Sequence, residues 1–167
     1  IKIDNQVLSD NIDWKKKVGY VPQSIYVLDS SLKDNILFGD KLVNKEKLSK
    51  AVKFASLDKF IKNVKGGINY KVGENGSRLS GGQIQRLGIA RSLYRMPKIL
   101  ICDEITSSID KENEKRILKS LLSLKNKLTI IFITHRPDII RDRRVKKFII
   151  TKNIEGHTKL IKNVDNR

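Results

Sequence analysis

Leu79-Ser80-Gly81-Gly82-Gln83 is a glycine-rich turn that predicts the start of a helix. Ser80 is a favourable N-cap residue, and Gln83, three positions later, completes a reciprocal capping box. Because Gly81 and Gly82 carry no Cβ, a phosphate group could approach the main chain here, and the free N–H groups of a helix start favour an anion. Alone, the stretch also fits an ordinary capped helix that follows a flexible turn.

Two apolar runs downstream of this turn predict buried strands. Ile99 to Cys102 is a continuous apolar run that ends in Asp103-Glu104, and Leu128 to Ile133 is a second run that ends shortly before His135. A helix capped by Asp110 separates them. The order of strand, helix and strand predicts an α/β fold with a mainly parallel sheet flanked by helices.

Upstream of the turn, the sequence predicts strands and then helices. Ile1 to Gln6 is interpreted as the end of a strand that begins before the first residue, and Val18 to Val21 as a short apolar strand. Ser31 and Asp34 form a capping box for a short helix, and apolar spacing in the following segment is also helical. We therefore expect an α-helical subdomain over about residues 31–95.

Composition limits the classes of protein that the chain can belong to. With 39% hydrophobic and 32% charged residues over 167 positions, the chain is globular rather than disordered. The single cysteine, Cys102, excludes an internal disulfide framework. No apolar run approaches the roughly 18 residues that a transmembrane helix needs.

The net charge of +17 would suit nucleic acid or an anionic membrane surface. However, the lysines are scattered, and no stacking aromatic residues interleave the one dense basic cluster. That cluster consists of Arg141, Arg143, Arg144, Lys146 and Lys147. We interpret the charge as a solvated surface and expect no nucleic-acid partner.

Polar side chains follow three predicted strands on what should be one edge of the sheet. They are Gln23, Asp103 with Glu104, and His135. Two adjacent carboxylates at a strand end require a compensating cation or hydrogen bonds, so Asp103 is a candidate Mg²⁺ ligand and Gln23 can offer its carbonyl. Glu104 could orient or deprotonate a water, and His135 could donate to a phosphate oxygen. Taken one at a time, the Asp-Glu pair would also fit a helix cap, and His135 would also fit a structural histidine.

Five motifs occur in one order along the chain. They are Val21-Pro22-Gln23, Leu79-Ser80-Gly81-Gly82-Gln83, Ile99 to Glu104, Ser107-Ser108-Ile109-Asp110 and Thr134-His135-Arg136. With this spacing the sequence resembles the nucleotide-binding domain of ATP-binding cassette (ABC) transporters over about residues 1–148. The segments 31–39 and 72–76 resemble the exporter subgroup more than importers. The resemblance implies a partial P-loop NTPase (ABC ATPase) domain.

The resemblance also implies roles for individual residues. Gln23 would be the Q-loop residue, Leu79 to Gln83 the signature motif, Asp103 the Walker B aspartate, Glu104 the catalytic glutamate, Asp110 the D-loop aspartate and His135 the switch histidine. Glu104, His135 and Gln23 would then be catalytic, and Asp103 and Gln23 would lie at Mg²⁺. Leu79, Ser80, Gly81, Gly82, Gln83 and Asp110 would contact ATP.

One motif of the family is missing from this sequence. No Gly-x-x-x-x-Gly-Lys-Ser/Thr phosphate loop is present, and the family places that loop upstream of a segment such as Ile1 to Gln6. We therefore expect residues 1–148 to be the C-terminal part of the domain and residues 149–167 to be a closing strand and basic tail. We also expect the chain alone to bind ATP poorly and not to hydrolyse it.

The resemblance implies two partners: a second nucleotide-binding domain, identical or different, and a transmembrane domain on the same full-length protein. It implies an ATPase that drives export at the cytoplasmic face of the inner or plasma membrane. A DNA-repair or chromosome-organising ATPase is an alternative. However, such proteins carry long coiled coil before the signature, and the segment between Gln23 and Leu79 has no heptads. A non-catalytic remnant is the other alternative.

Overall fold

The computed structural model of the chain describes residues 2–3, 6–7, 14–106, 109–124, 127–136, 145–146, 148–152 and 158–162. The chain divides into two compact units, Ile1–Ile133 and Thr134–Arg167, and each is considered by itself below. The expected limits at residues 1–148 and 149–167 stay a prediction.

A parallel sheet lies at the centre of the first unit. Its strands are β3 (Val18–Val21), β4 (Ile99–Asp103) and β5 (Thr129–Ile133), in the order β3-β4-β5. Both strand pairs are parallel, so the three carboxyl ends lie at one edge. The α/β fold with a parallel sheet and helices is therefore confirmed.

Most of the helices lie between β3 and β4. They are α1 (Leu32–Leu37), α2 (Lys45–Phe54), α3 (Asp58–Asn63) and α4 (Gly81–Tyr94), and α5 (Lys111–Leu122) joins β4 to β5. The capping box of Ser31 and Asp34 is confirmed at the start of α1. The helix after the glycine-rich turn begins at Gly81, directly after the predicted cap at Ser80.

Alternate residues of the sheet point to a buried face and to an open face. Val21, Leu100 and Cys102 are fully buried with apolar residues of α4 and α5. On β5, however, Ile131 is 46% exposed and Ile133 is 50% exposed. The expectation that Leu128 to Ile133 forms a buried strand therefore holds for one face only, because only Ile130 and Phe132 of β5 pack against the core.

The chain begins with two short strands rather than with one strand end. β1 (Lys2–Ile3) and β2 (Gln6–Val7) form an antiparallel pair, so the interpretation of Ile1 to Gln6 as one strand was wrong. An alternating pattern indicates extended backbone, but it does not show where the chain reverses direction.

The second unit contains an antiparallel pair of strands, β6 (Phe148–Lys152) and β7 (Thr158–Lys162). Most of the predicted basic cluster, residues 141–144 and 147, and the tail residues 153–157 and 163–167 lie outside the described residues. Within the part of the chain that the structure describes, no helix has the length and apolar character that a membrane crossing requires.

Candidate functional site

The carboxyl edge of the sheet brings Gln23 and Glu104 together. Gln23 follows β3 by two residues, and its Nε2 donates a hydrogen bond to the Glu104 Oε2 at 3.1 Å. The Glu104 backbone N donates to the Ile133 carbonyl at 3.0 Å, which ties the end of β4 to the end of β5. The predicted proximity of these two polar residues at one edge is present in the structure.

Glu104 holds its backbone in the left-handed region, with a φ of 46°. This conformation is unfavourable for a residue with a Cβ and costs on the order of 1–3 kcal/mol, and such residues cluster at functional sites. The bonds at both ends of the residue, from its backbone N to Ile133 and from Gln23 to its side chain, hold this geometry.

Asp103, the last residue of β4, accepts a hydrogen bond from a tyrosine that sequence reasoning missed. The Tyr20 hydroxyl donates to the Asp103 Oδ2 at 2.9 Å. This bond, with a smaller effect of partial burial and of the negative charge of Asp103, raises the pKa of Tyr20. Only the strand register reveals this bond, because Tyr20 pairs with Ile101 and therefore shares a face with Asp103.

The donors at this edge suit a hard cation. Asp103 keeps one carboxylate oxygen besides the one that Tyr20 occupies, and the amide oxygen of Gln23, whose Nε2 bonds Glu104, would be a second oxygen ligand. No group of three or more His, Cys, Asp or Glu residues that could hold a metal is found in the described part of the chain. The residues therefore fit Mg²⁺ as part of its ligand set, since Mg²⁺ keeps waters and phosphate oxygens as ligands.

The glycine-rich turn has the predicted capping box. The Ser80 backbone N donates to the Gln83 Oε1 at 2.8 Å, and the Gln83 backbone N donates to the Ser80 Oγ at 3.3 Å. Ser80 and Gly81 are exposed, and Leu79 packs partly buried against the core. The turn therefore presents the start of α4, a helix of 14 residues, to its surroundings.

This turn lies against the segment that contains Asp110. A Cβ placed on Gly82 would be 3.7 Å from the Ile109 Cγ2. Asp110 caps α5, where its Oδ1 accepts from the backbone N of Glu112 at 3.1 Å and of Asn113 at 3.0 Å. Bonds from Asn113 and Glu112 lower the pKa of Asp110. Its carboxylate is thus engaged in a helix cap, and a nucleotide contact stays a prediction.

Arg86 is a second residue near the turn that the sequence did not single out. Its Nε donates to the Gly82 carbonyl at 3.0 Å, and its Nη1 donates to the Ser56 carbonyl at 3.2 Å. The pKa of Arg86 is lowered by burial and by the positive charge of Arg116, and the opposite effect of Asp110 is smaller. Arg86 therefore links the start of α4 to the connection between α2 and α3.

The structure groups the other predicted residues as follows. Gln23, Asp103 and Glu104 lie at the sheet edge, and residues 79–83 lie with Asp110 through the contact of Gly82 with Ile109. His135, the second residue after β5, is exposed and belongs to the second unit. Its catalytic role stays a prediction. Ser107 and Ser108 of the fourth motif lie outside the described residues.

Comparison with known proteins supports one family. The family model described as "ABC transporter" matches residues 1–107. "ABC transporter B family member 13" of Arabidopsis thaliana is 38% identical over 89% of this chain and 12% of its own length. The "ATP-dependent permease MDL1" of Candida albicans is 37% identical over 85% of this chain and 22% of its own length.

A solved structure is similar as well. It is described as "Structure of a bacterial Atm1-family ABC exporter with ATP bound". Its fold matches this chain with a TM-score of 0.70 and 34% sequence identity, and the match covers 77% of this chain and 22% of the exporter chain. The chain thus spans less than a quarter of the length of these relatives. With its parallel sheet, its capped glycine-rich turn and these relatives, the chain belongs to the ABC transporter family.

Proposed function

We propose that this chain is part of an ATP-hydrolysing domain that powers an ABC exporter. The observation that carries the proposal is the hydrogen bond between Gln23 and Glu104 at the carboxyl edge of a parallel sheet. Ligands of open α/β sheets gather at that edge. The relatives named as a permease and as an exporter support transport as the purpose of hydrolysis.

In this proposal, each residue at the sheet edge has a separate role in ATP hydrolysis. Glu104 orients the attacking water and takes its proton, and the amide of Gln23 fixes the direction of the Glu104 carboxylate. Asp103 would hold Mg²⁺ directly or through water, and a cation bound there would supply positive charge to offset the charge that develops on the phosphate oxygens. For His135, which belongs to the second unit, a hydrogen bond to a phosphate oxygen is proposed on the family resemblance alone.

The capped turn at residues 79–83 supplies the other half of a composite site. Its free N–H groups and the positive end of the α4 dipole would face the γ-phosphate of ATP held by a second nucleotide-binding domain. Gly81 and Gly82 allow close approach because they have no Cβ, while the capping box of Ser80 and Gln83 fixes the conformation of the turn. ATP would then close the dimer, and hydrolysis would reopen it.

A cleft near the start of β3 carries an excess of basic residues. Its volume is about 460 Å³, and Phe38 and Tyr94 are among its lining residues. Its basic residues are Lys15, Lys16, Lys47 and Arg95, and its acidic residue is Asp40. This positive charge would favour a partner segment with acidic residues. The relatives named as a permease and as an exporter support a transmembrane partner, and the domain would then lie at the cytoplasmic face of the membrane.

The test is Glu104→Gln in the complete protein, with Glu46→Gln as the matched control. Glu46 is an exposed helix residue paired with Lys50, so its neutralisation should leave turnover unchanged. Glu104→Gln should retain ATP binding, lose hydrolysis by at least about 100-fold and accumulate the ATP-closed dimer. Unchanged turnover would place the base elsewhere. Absence of ATP binding in the unsubstituted protein would instead favour a non-catalytic remnant.

A further inference from the structure

Two carboxylates at the end of β4 each receive a hydrogen bond from the β3 side of the sheet. Gln23 bonds Glu104 at 3.1 Å, and Tyr20 bonds Asp103 at 2.9 Å. The first pair belongs to the function proposed above. The second pair has no role in it, although its acceptor is the residue proposed to hold Mg²⁺.

The strand register explains how Tyr20 reaches Asp103. Tyr20 lies opposite Ile101 on the parallel neighbour, and Asp103 is two residues further along β4 on the same face. A tyrosine is long enough to span this diagonal, whereas the aliphatic residues common in strands have no hydroxyl to donate.

The Tyr20 hydroxyl does not depend on Asp103 for a hydrogen-bond partner. Its side chain is 52% exposed, so water could satisfy the hydroxyl as well. The main chain at this position is held independently, because the Ser92 Oγ donates to the Tyr20 carbonyl at 2.8 Å. The side-chain bond therefore has more effect on Asp103 than on the fold.

We propose that Tyr20 is a positioning residue that orients Asp103 as a ligand for Mg²⁺, an inference that rests on the function proposed above. The hydroxyl occupies Oδ2, fixes the rotation of the carboxylate and leaves Oδ1 for the cation. Hydrogen bonds of this kind to a ligating group typically contribute 10–100-fold in metal affinity.

The test measures cation binding without turnover. The complete protein is mixed with a non-hydrolysable ATP analogue and titrated with Mn²⁺ as a substitute for Mg²⁺, and free Mn²⁺ is followed by electron paramagnetic resonance. Tyr20→Phe should raise the Kd for Mn²⁺ about 10-fold. Tyr26→Phe is the matched control, because Tyr26 is a still more exposed tyrosine of the same unit, at 65%.

Further variants separate the possible failures. Tyr20→Leu should weaken binding as much as Tyr20→Phe does if the hydroxyl, rather than the ring, orients Asp103. Asp103→Asn should weaken binding more than either. If Asp103→Asn weakens binding and Tyr20→Phe stays within about twofold of the unsubstituted protein, the role of Tyr20 is wrong while the proposed function stands. If Asp103→Asn has no effect, the proposed Mg²⁺ site itself is wrong.

Discussion

Gly88 of α4 lies so close to Ile25 that a Cβ on the glycine would be 2.4 Å from the Ile25 Cδ1 and 2.9 Å from its Cγ1. The helix that begins at the capped turn thus contacts the segment just after Gln23 with no room for a methyl group. A glycine within a helix costs about 1 kcal/mol relative to alanine, so the close contact offsets a local penalty.

We expect Gly88→Ala to lower the free energy of unfolding by about 1–3 kcal/mol, although alanine favours the helix, because the added methyl group overpacks the contact. Urea unfolding followed by circular dichroism measures the effect. In an Ile25→Ala background, the same Gly88→Ala change should cost much less, because the atoms that the methyl group would meet are gone. A single variant as stable as the unsubstituted chain would show that the two elements can separate at little cost.

The left-handed backbone of Glu104 makes a second prediction possible. Glu104→Gly and Glu104→Ala remove the same carboxylate and the same bond from Gln23, but only glycine adopts a φ of 46° without penalty. The glycine variant should be more stable by about 1 kcal/mol in urea unfolding.

Lys50 provides the control for this comparison. It is an exposed residue of α2, where glycine should be less stable than alanine by about 1 kcal/mol. The order of the two variants should therefore reverse between the two positions. If alanine is better at both, the strain at Glu104 does not contribute to stability.

The lowered pKa of Asp34 makes the free energy of unfolding depend on pH. Hydrogen bonds from the Ser30 and Ser31 hydroxyl groups, both at 2.6 Å, lower the pKa of Asp34 below its usual 3.8. Since the folded pKa lies below the unfolded one, the stabilisation is fully present above about pH 4 and is lost as the pH falls through the folded pKa.

Asp34→Asn should therefore destabilise the chain by about 1 kcal/mol at pH 7, and the difference from the unsubstituted chain should shrink below pH 4. Urea midpoints measured between pH 7 and pH 3 check this prediction. A difference that is independent of pH would show that the charge on Asp34 adds nothing to the cap.

Arg91 joins α4 to α1 through geometry that lysine cannot reproduce. Its Nε donates to the Asn35 carbonyl at 2.9 Å, its Nη2 donates to the Asn35 Oδ1 at 3.2 Å, and it stacks 4.1 Å from the centroid of the Phe38 ring. Arg91→Lys should cost about 1–3 kcal/mol of stability. Arg95→Lys, at the exposed end of the same helix, should cost less than about 0.5 kcal/mol. Equal effects would argue against the bidentate contact.

The sequence predicted contacts between residues that are close along the chain, but not contacts between residues that are far apart. The capping boxes at Ser31 and Ser80 involve residues three positions apart, and both were foreseen and found. The bond between Tyr20 and Asp103 joins residues 83 positions apart and depends on strand register, which no local pattern specifies.

Three other features of the structure could not be predicted from the sequence either. The positive φ of Glu104 occurs together with two long-range bonds, and the contact between Gly88 and Ile25 depends on how α4 packs. The exposure of Ile131 and Ile133 was missed because a run of apolar residues does not reveal which face of a strand is covered.

The capping box between Ser80 and Gln83 also bears on the order of folding. Its two hydrogen bonds close a loop of four residues, so they pay almost none of the chain entropy that a long-range contact requires. During synthesis, this turn and the first residues of α4 can take shape before the ribosome has made β4 and β5, whose pairing completes the sheet. We therefore expect the surface that a partner domain would recognise to form earlier than the sheet that supports the rest of the site.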